Sequence, residues 1–352
     1  MQQRGIAPNM EALVWRGPRD IELLSESTPQ PAPGEALVAV AAVGICGSEL
    51  SGYLGQNSLR RPPLIMGHEA AGRIVASDEA RLADGSPARA GTRVTINPLI
   101  VCGACDRCAA GRSNLCRRRR IIGAHRPGAF ARYVAVPAGQ CWPLPDHLPH
   151  VIGSLVEPLA CAVRAVALAQ VAAGDPLLIL GAGPIGLGCL AVARAAGVEH
   201  VLVSDLAPRR LDVARRWGAQ TVIPAKGQDV VAAVQEAVPG GAAAVIDAVG
   251  AAATRAEAVQ AVVPGGRVVF IGLHDEESPL AANYLVRQEV TIAGSFAYTD
   301  ADFARALDLL AQGVVRAEPD WLDVRPLDAG PAAFEELVSG AAAATKIVLI
   351  IE

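Results

Sequence analysis

The sequence has few aromatic side chains and no excess of positive charge, and both deficits exclude classes of protein. Aromatic residues make up 4% of the 352 residues, so we expect a core packed mainly from alanine, valine and leucine. The formal net charge of −4 leaves no basic surface for neutralising phosphates, which argues against a nucleic-acid partner. With 52% hydrophobic and 19% charged residues, the chain can bury a large core, which excludes global disorder.

The sequence also lacks signals for export or membrane insertion. No apolar run follows the first positive charge near the N-terminus, so we expect a cytoplasmic protein. The longest uncharged run, residues 176–193, contains four glycines and Pro184, a pattern that favours a buried strand, turn and helix over a membrane span. We therefore expect no membrane association.

Two kinds of periodicity divide the chain, whose length of 352 residues suits two domains. Short strands broken by turns predict an irregular β body, at 11–15, 35–43, 72–76, 93–97 and 130–136. Beyond residue 158, aliphatic strands alternate with helices and predict a doubly wound α/β sheet of six parallel strands, at 177–180, 201–205, 221–223, 244–247, 268–271 and 290–295. A helix capped by Thr299, a helix after Pro331 and a last strand at 346–351 follow.

Four of the eight cysteines fall within fifteen residues, with the spacing C-x2-C-x2-C-x7-C. In a reducing compartment this spacing indicates a metal site rather than disulfides. Four thiolates fill a tetrahedral zinc site and leave no open position, so we predict a structural site in a lobe at about 99–120. Its ligands would be Cys102, Cys105, Cys108 and Cys116. The alternative is a chance cluster of reduced surface thiols.

The segment 177–186, LLILGAGPIG, predicts a strand, a G-x-G-x-x-G turn and the start of a helix. Gly181 permits the tight turn, Gly183 lets the backbone approach a pyrophosphate, and Gly186 allows close packing of helix on strand. Asp205 closes the next strand, and its carboxylate would bind the adenosine ribose hydroxyls and repel a 2′-phosphate. We therefore expect NAD rather than NADP.

Further cofactor contacts are expected on both sides of this turn, from Pro184, Ile185, Arg210, Leu273 and Phe296. Arg209 and Arg210 either soften the preference for NAD or are solvated residues of the first helical turn.

A cysteine, a histidine and carboxylates elsewhere form a possible catalytic metal site. Cys46 lies in the segment GICGSE and His68 precedes Glu69 in the segment GHE. Mixed sulfur, nitrogen and oxygen ligands are typical of a catalytic zinc that keeps one position open. Each residue alone is more often a packed core residue than a ligand, so the prediction depends on their occurring together with the dinucleotide turn and the cysteine lobe.

These segments together resemble the zinc-containing medium-chain dehydrogenase/reductase family. Within it, residues 156–160 (VEPLA) and 204–211 resemble the polyol branch, which includes sorbitol and butanediol dehydrogenases. The resemblance covers nearly the whole chain after about the first nine residues. It implies an enzyme with a GroES-like irregular β catalytic domain at 1–157, a Rossmann NAD-binding domain at 158–295 and a return to the catalytic domain at 296–352.

The resemblance also implies two zinc ions per chain, one catalytic and one structural. The catalytic ligands would be Cys46, His68 and a carboxylate, either Glu69 or Glu157, bound directly or through water. Ser48 matches the hydroxyl that passes the alcohol proton to the nicotinamide ribose. A relay histidine often follows three residues later, but Ser51 stands there, so we expect proton release through the ribose and water or through Ser51.

Two features bear on the substrate. Sorbitol dehydrogenases carry an Arg-Tyr pair after the sixth strand, whereas in this chain Ala297 stands in place of the arginine, before Tyr298. Without an arginine to bind polyol hydroxyls, the pocket favours a smaller or less polar secondary alcohol or diol. Phe296 and Tyr298 are either walls of the substrate pocket or core residues. The four arginines at 117–120 offset the charge of the cysteine site, or are solvated, or bind an acidic or phosphorylated substrate.

The leading hypothesis is therefore a zinc- and NAD-dependent enzyme that interconverts a secondary alcohol, diol or polyol and its ketone. One alternative is a specialised dehydrogenase for a sugar phosphate or an aminocyclitol. A less favoured alternative is an NAD-binding scaffold without turnover. The expected partner is a small-molecule alcohol or ketone, and the resemblance suggests a homodimer or homotetramer.

Overall fold

The computed structural model describes residues 6–78 and 80–351. They divide into two compact units. The first unit contains the chain up to Glu157 together with the residues from Arg316 onward, and the second runs from Pro158 to Val315. None of the helices in the described part is long and apolar enough to cross a membrane.

The strands are numbered in chain order: Asn9–Gly17 (β1), Asp20–Ser27 (β2), Glu35–Gly44 (β3), Leu64–Ile65 (β4), Glu69–Ser77 (β5), Arg93–Ile96 (β6), Leu99–Ile100 (β7), Arg120–Ile121 (β8), Tyr133–Pro137 (β9), Cys141–Pro143 (β10), Leu177–Leu180 (β11), Val201–Asp205 (β12), Thr221–Pro224 (β13), Ala242–Asp247 (β14), Val262–Phe270 (β15), Thr291–Gly294 (β16), Leu322–Pro326 (β17) and Lys346–Ile350 (β18).

The α-helices are numbered likewise: Gly47–Tyr53 (α1), Asp106–Ala109 (α2), His150–Gly153 (α3), Val156–Ala169 (α4), Pro184–Ala195 (α5), Pro208–Arg216 (α6), Val230–Ala237 (α7), Ala252–Ala261 (α8), Ala282–Gln288 (α9), Asp300–Ala311 (α10) and Gly330–Ser339 (α11). Short 3-10 helices lie at Ser113–Leu115, Ala138–Gln140 and Leu327–Ala329.

The first unit is built on a sheet with the strand order β10-β6-β5-β3-β18-β17, in which β9 also pairs with β3. Strands β3 and β5 are antiparallel, and Gly44 at the end of β3 lies opposite Glu69 at the start of β5. This register brings Cys46, two residues beyond Gly44, close to His68 and Glu69. Strand β18 pairs with the other edge of β3 and places the C-terminal segment against the same residues. The predicted irregular β domain is confirmed.

The second unit is a parallel six-stranded sheet with the order β13-β12-β11-β14-β15-β16. The four residues of β11 are all buried, as expected for a strand covered on both faces. The strand order reverses between β11 and β14, and such a switch point is where ligands bind at the carboxyl ends of the strands. The predicted doubly wound Rossmann sheet is confirmed.

The resemblance predicts that the chain returns to the first domain at residue 296. In the structure the first unit resumes later, at Arg316. Helix α10 remains with the second unit, which ends at Val315. Its first turn lies near α4, with Arg164 Nη1 3.9 Å from Asp302 Oδ2, and Tyr298 packs on Phe303 with ring centroids 5.6 Å apart. The segment after β16 up to Val315 thus stays with the second unit, and the contact of Arg164 with Asp302 joins it to α4.

Candidate active site and metal centres

Cys46, His68 and Glu69 meet in the first unit. Their ligand atoms, a thiol sulfur, an imidazole nitrogen and a carboxylate oxygen, all lie within 4.8 Å of one another. Cys46 is the N-cap residue of α1, while His68 and Glu69 lead into β5. A Cβ at Gly44 would collide with Glu69 Oε2, so a glycine is required opposite this carboxylate. The three donors fit the mixed ligand set of a catalytic zinc.

Glu49 organises this cluster, and the sequence analysis did not assign it a role. Its side chain is fully buried, and Oε1 lies 2.8 Å from His68 Nδ1 and accepts the Gly67 N–H, while Oε2 accepts the Cys46 N–H. Burial alone would raise the pKa of Glu49, but the charges of His68 and Arg60 and the hydrogen bonds lower it. Because Glu49 holds Nδ1, the other ring nitrogen of His68 is left to bind a metal.

Replacing Glu49 with glutamine is expected to weaken zinc binding at the cluster about 10- to 100-fold, as loss of a carboxylate behind a ligating histidine commonly does. Competition with a chromophoric chelator measures this affinity. Glu11→Gln, an exposed acid on β1, is the matched control. Equal zinc affinity in Glu49→Gln and in the native protein would refute the orienting role.

Lys346 forms a buried ion pair with Glu69 and also donates to the carbonyl of Ile45 at 2.8 Å. Both side chains are at least 98% buried. Burial opposes the charge of Lys346, but the carboxylate of Glu69 raises the pKa of the ammonium. Glu69 is therefore paired with a cationic side chain and also has a carboxylate oxygen within 4.8 Å of the donor atoms of Cys46 and His68.

Ser48 lies beside the cluster in the first turn of α1. Its Oγ is 3.5 Å from Cys46 Sγ. Arg60, whose side chain is buried, donates to the Ser48 carbonyl at 2.9 Å, to Ser48 Oγ at 3.3 Å and to the Gly123 carbonyl at 3.2 Å. Ser51 Oγ bonds back to the Gly47 carbonyl of its own helix at 3.4 Å. Arg60, which the sequence analysis missed, thus fixes the serine hydroxyl that the resemblance places in proton transfer.

Glu157 is buried at the first turn of α4, with 8% of its surface exposed. The group of mutually close donors contains Glu69 and not Glu157. Glu69 is thus the carboxylate that the structure brings to Cys46 and His68, while a role for Glu157 stays a prediction.

The four cysteines of the lobe converge on one point. Their sulfurs are 3.5 Å apart between Cys105 and Cys108, 3.9 Å between Cys105 and Cys116, and 4.0 Å between Cys102 and Cys108. Zinc–sulfur bonds of about 2.3 Å in a tetrahedron separate the sulfurs by about 3.8 Å, so the spacing fits one zinc ion. The backbone N–H of Ala104 lowers the pKa of Cys102 to about 5, which favours the thiolate that a metal needs.

The four arginines after Cys116 do not act as one group. Arg117 pairs with Asp106 at 2.7 Å, and the side chain of Arg118 hydrogen-bonds Cys102. The contact of Arg118 supports the interpretation that the run offsets the thiolate charge, whereas Arg117 is paired with a carboxylate. Arg120 instead turns away and donates to the carbonyl of His125 at 3.1 Å.

The glycine-rich turn of the second unit has the geometry that a dinucleotide requires. Gly181 has a φ of +94°, and a Cβ there would lie 2.6 Å from Val249 Cγ2. A Cβ at Gly186 would collide with the carbonyl oxygen of Gly181, so the helix can approach the strand only without a side chain. Gly183 caps α5 and has open space around its Cβ position. Pro184 and Ile185 begin α5, whose N–H groups are typical ligands of a phosphate.

Asp205 ends β12, and its carboxylate accepts the Ala182 N–H at 2.7 Å and the Ala207 N–H at 2.8 Å. The guanidinium of Arg210 lies 3.9 Å from Asp205 Oδ2, close enough for ion pairing. Leu273 has 83% and Phe296 37% of its surface exposed, so both can be reached by a ligand. Tyr298 is buried, which favours its core role over a role as a pocket wall.

Comparison with known proteins decides the family. Residues 32–146 match the model of the alcohol dehydrogenase GroES-like domain, and residues 184–312 match that of zinc-binding dehydrogenases. The chain is 34% identical to L-galactonate-5-dehydrogenase of Escherichia coli K12, over 88% of this chain and 89% of the relative. The chain belongs to the zinc-binding alcohol dehydrogenase family.

Other members of the family support the same placement. Sorbitol dehydrogenase of Bacillus subtilis is 32% identical over 88% of both chains. A zinc-binding dehydrogenase of Sinorhizobium meliloti solved with NADP superimposes with a TM-score of 0.89 at 34% identity, covering 98% of this chain and 100% of that one. The protein is thus an oxidoreductase of the zinc-type, polyol-dehydrogenase-like class, as the sequence predicted.

Proposed function

We propose that the protein transfers hydride between NAD and a secondary alcohol, diol or polyol, with one catalytic and one structural zinc ion per chain. The main support for the proposal is that the donor atoms of Cys46, His68 and Glu69 lie close together, with the hydroxyl of Ser48 beside them. The cysteine spacing of the lobe supports the second zinc ion. We also propose a cytoplasmic homodimer or homotetramer, which the family resemblance suggests.

The side chains at the cluster have separate roles in the reaction. Cys46, His68 and Glu69 would hold a zinc ion, which would act as a Lewis acid and lower the pKa of the substrate hydroxyl. Ser48 relays the proton of that hydroxyl, accepting it as it passes its own hydroxyl proton on, and Arg60 keeps the serine Oγ in place by donating to it. Ser51 is engaged with its own helix, which favours the ribose and water over Ser51 for the next proton step.

The preference for NAD follows from Asp205, because a carboxylate at this position attracts ribose hydroxyls and repels a 2′-phosphate. Asp205→Ser is expected to lower the ratio of kcat/KM with NAD to kcat/KM with NADP at least about 10-fold, since it removes a charge repulsion of about 1.4 kcal/mol or more. Steady-state kinetics with both cofactors measures this ratio. Asp212→Ser, an exposed acid of α6, is the control, and an unchanged ratio in Asp205→Ser would refute the assignment.

The test of the function as a whole is NADH formation across secondary alcohols, diols and polyols, with and without a zinc chelator. Chelator-sensitive turnover is expected. A protein that holds two zinc ions yet oxidises none of these alcohols would instead support a specialised dehydrogenase for a sugar phosphate or an aminocyclitol. One zinc ion per chain would support the inactive scaffold.

A further inference from the structure

The first unit contains a pocket of about 740 Å³ whose charge points to an anionic ligand. Its volume falls within the range of small-molecule sites. The polar side chains that line it come from Arg61, Arg120, Arg126, His125, Ser58 and Glu26.

Two of its three arginines are available to a ligand. Arg126 is neutralised by Glu35 at 2.7 Å. Neither Arg61 nor Arg120 has an acidic partner within the described part of the chain, and the one recorded bond of Arg120 goes to the carbonyl of His125. Glu26 is the opposing charge in the lining. Two available guanidinium groups against one carboxylate make the pocket attractive to an anion.

His125 adds a neutral donor. Its Nδ1 accepts the Ile121 N–H at 3.0 Å, which assigns the ring proton to Nε2. Burial and the charges of Arg120 and Arg119 lower the pKa of His125, so the ring stays uncharged near neutral pH. An Nε2–H donor and the carboxylate acceptor of Glu26 are the complementary partners of hydroxyl groups.

The segments that line this pocket contact the segments that position the metal cluster. Ile65 lines the pocket and lies three residues before His68. Gly123 precedes the lining residue Ala124, and its carbonyl accepts from Arg60, which also holds Ser48. A Cβ at Gly123 would lie 2.7 Å from the Gly67 carbonyl, so the two backbone segments are in close contact. The segment that lines the pocket therefore packs against the segment that carries His68, which connects the pocket to the metal cluster through the backbone.

From these contacts we infer that the substrate is a polyhydroxylated anion, a polyol that carries a carboxylate or phosphate group. Arg61 and Arg120 bind the anionic group, while His125 and Glu26 bind hydroxyls. This inference rests on the proposed function and narrows its substrate class. It disfavours the aminocyclitol alternative, because the amine of such a substrate would meet two arginines.

Kinetics with charged and uncharged substrates of the same carbon skeleton test the inference. The panel contains gluconate, galactonate and mannonate, sorbitol 6-phosphate and mannitol 1-phosphate, with sorbitol, galactitol and mannitol as uncharged counterparts. At least one anion is expected to have a kcat/KM at least 10-fold above that of its uncharged counterpart. A preference for an aldonate would show that the anionic group is a carboxylate, and a preference for a sugar phosphate would show that it is a phosphate. Polyols that outperform every anion would overturn the inference and leave the proposed function standing.

Arg61→Gln and Arg120→Gln are expected to raise the KM for the preferred anion at least about 10-fold each, because each removes a charged hydrogen-bond donor. The KM for the uncharged counterpart should change less than 2-fold. Arg120→Lys should recover part of the loss by keeping the charge. The control is Arg89→Gln, an exposed arginine outside the pocket lining. Equal increases for charged and uncharged substrates would refute anion binding by these arginines.

A binding measurement separates this inference from the proposed function. Gluconate and sorbitol 6-phosphate, added at 10 mM to the zinc-loaded protein, should raise the melting temperature of the native protein but not of the Arg61→Gln/Arg120→Gln double variant. If no alcohol is oxidised but this difference appears, the proposed function fails and the anion pocket stands. If the double variant is stabilised as much as the native protein, the anion pocket is refuted.

Discussion

Replacing Cys46 with serine is expected to remove one of two zinc ions per chain and to lower kcat/KM about 1000-fold or more. The hydroxyl of serine stays protonated near neutral pH and is a poor zinc ligand, whereas the thiolate of cysteine is a preferred one. Losing the Lewis acid removes several kcal/mol of transition-state stabilisation, and about 4 kcal/mol corresponds to 1000-fold in rate. Elemental analysis and steady-state kinetics measure the two effects.

The matched variant is Cys105→Ser, which removes the same sulfur from the other cluster. It should also leave one zinc ion per chain, but its main effect should be a melting temperature lowered by at least about 10 °C, because structural zinc contributes directly to folding. Cys46→Ser should change the melting temperature much less. If both variants lose activity and stability to the same degree, the division into a catalytic and a structural site is wrong.

The sequence predicted which donor residues come together because each candidate group is marked by local spacing or by neighbouring glycines. The four lobe cysteines lie within fifteen residues, and the structure brings their sulfurs within 4.8 Å of one another. The Gly181–Gly186 turn is equally local, since strand, turn and helix are consecutive. Cys46 and His68 were predicted together from their ligand chemistry and their occurrence with the other two motifs, and the antiparallel pairing of β3 with β5 is the physical reason that they meet.

The residues that the sequence analysis missed act over long distances or through their orientation. Lys346 reaches Glu69 across 277 positions, and only the pairing of β18 with β3 brings them together. Glu49 looks like an ordinary acidic residue of a first helical turn, but its two oxygens span the backbone of Cys46 and the ring of His68. An acidic residue three positions after Cys46, in the spacing of a capping box, was the only signal that the sequence offered.

The arginine run illustrates the same limit. Sequence alone treats residues 117–120 as one cluster with one role, but the turn into β8 separates Arg120 from the arginines that lie against Asp106 and Cys102. The direction of the backbone therefore determines which arginines contact the metal lobe and which one faces the pocket.

Lys346→Met is the second variant with a large expected effect. Methionine fills nearly the same volume but leaves the carboxylate of Glu69 buried without its cationic partner. Breaking a buried ion pair from one side costs about 3–5 kcal/mol. The melting temperature of the zinc-free protein should therefore fall on the order of 10 °C, measured by calorimetry after chelation.

Zinc should reduce this loss, because a divalent cation bound by Cys46 and His68 lies within reach of the same carboxylate and replaces the missing positive charge. The Glu69→Gln/Lys346→Met double variant should recover most of the zinc-free stability, since it leaves no unpaired charge at this position. A double variant no more stable than Lys346→Met would show that the loss comes from packing. A loss equal with and without zinc would show that Glu69 does not share its charge with the metal.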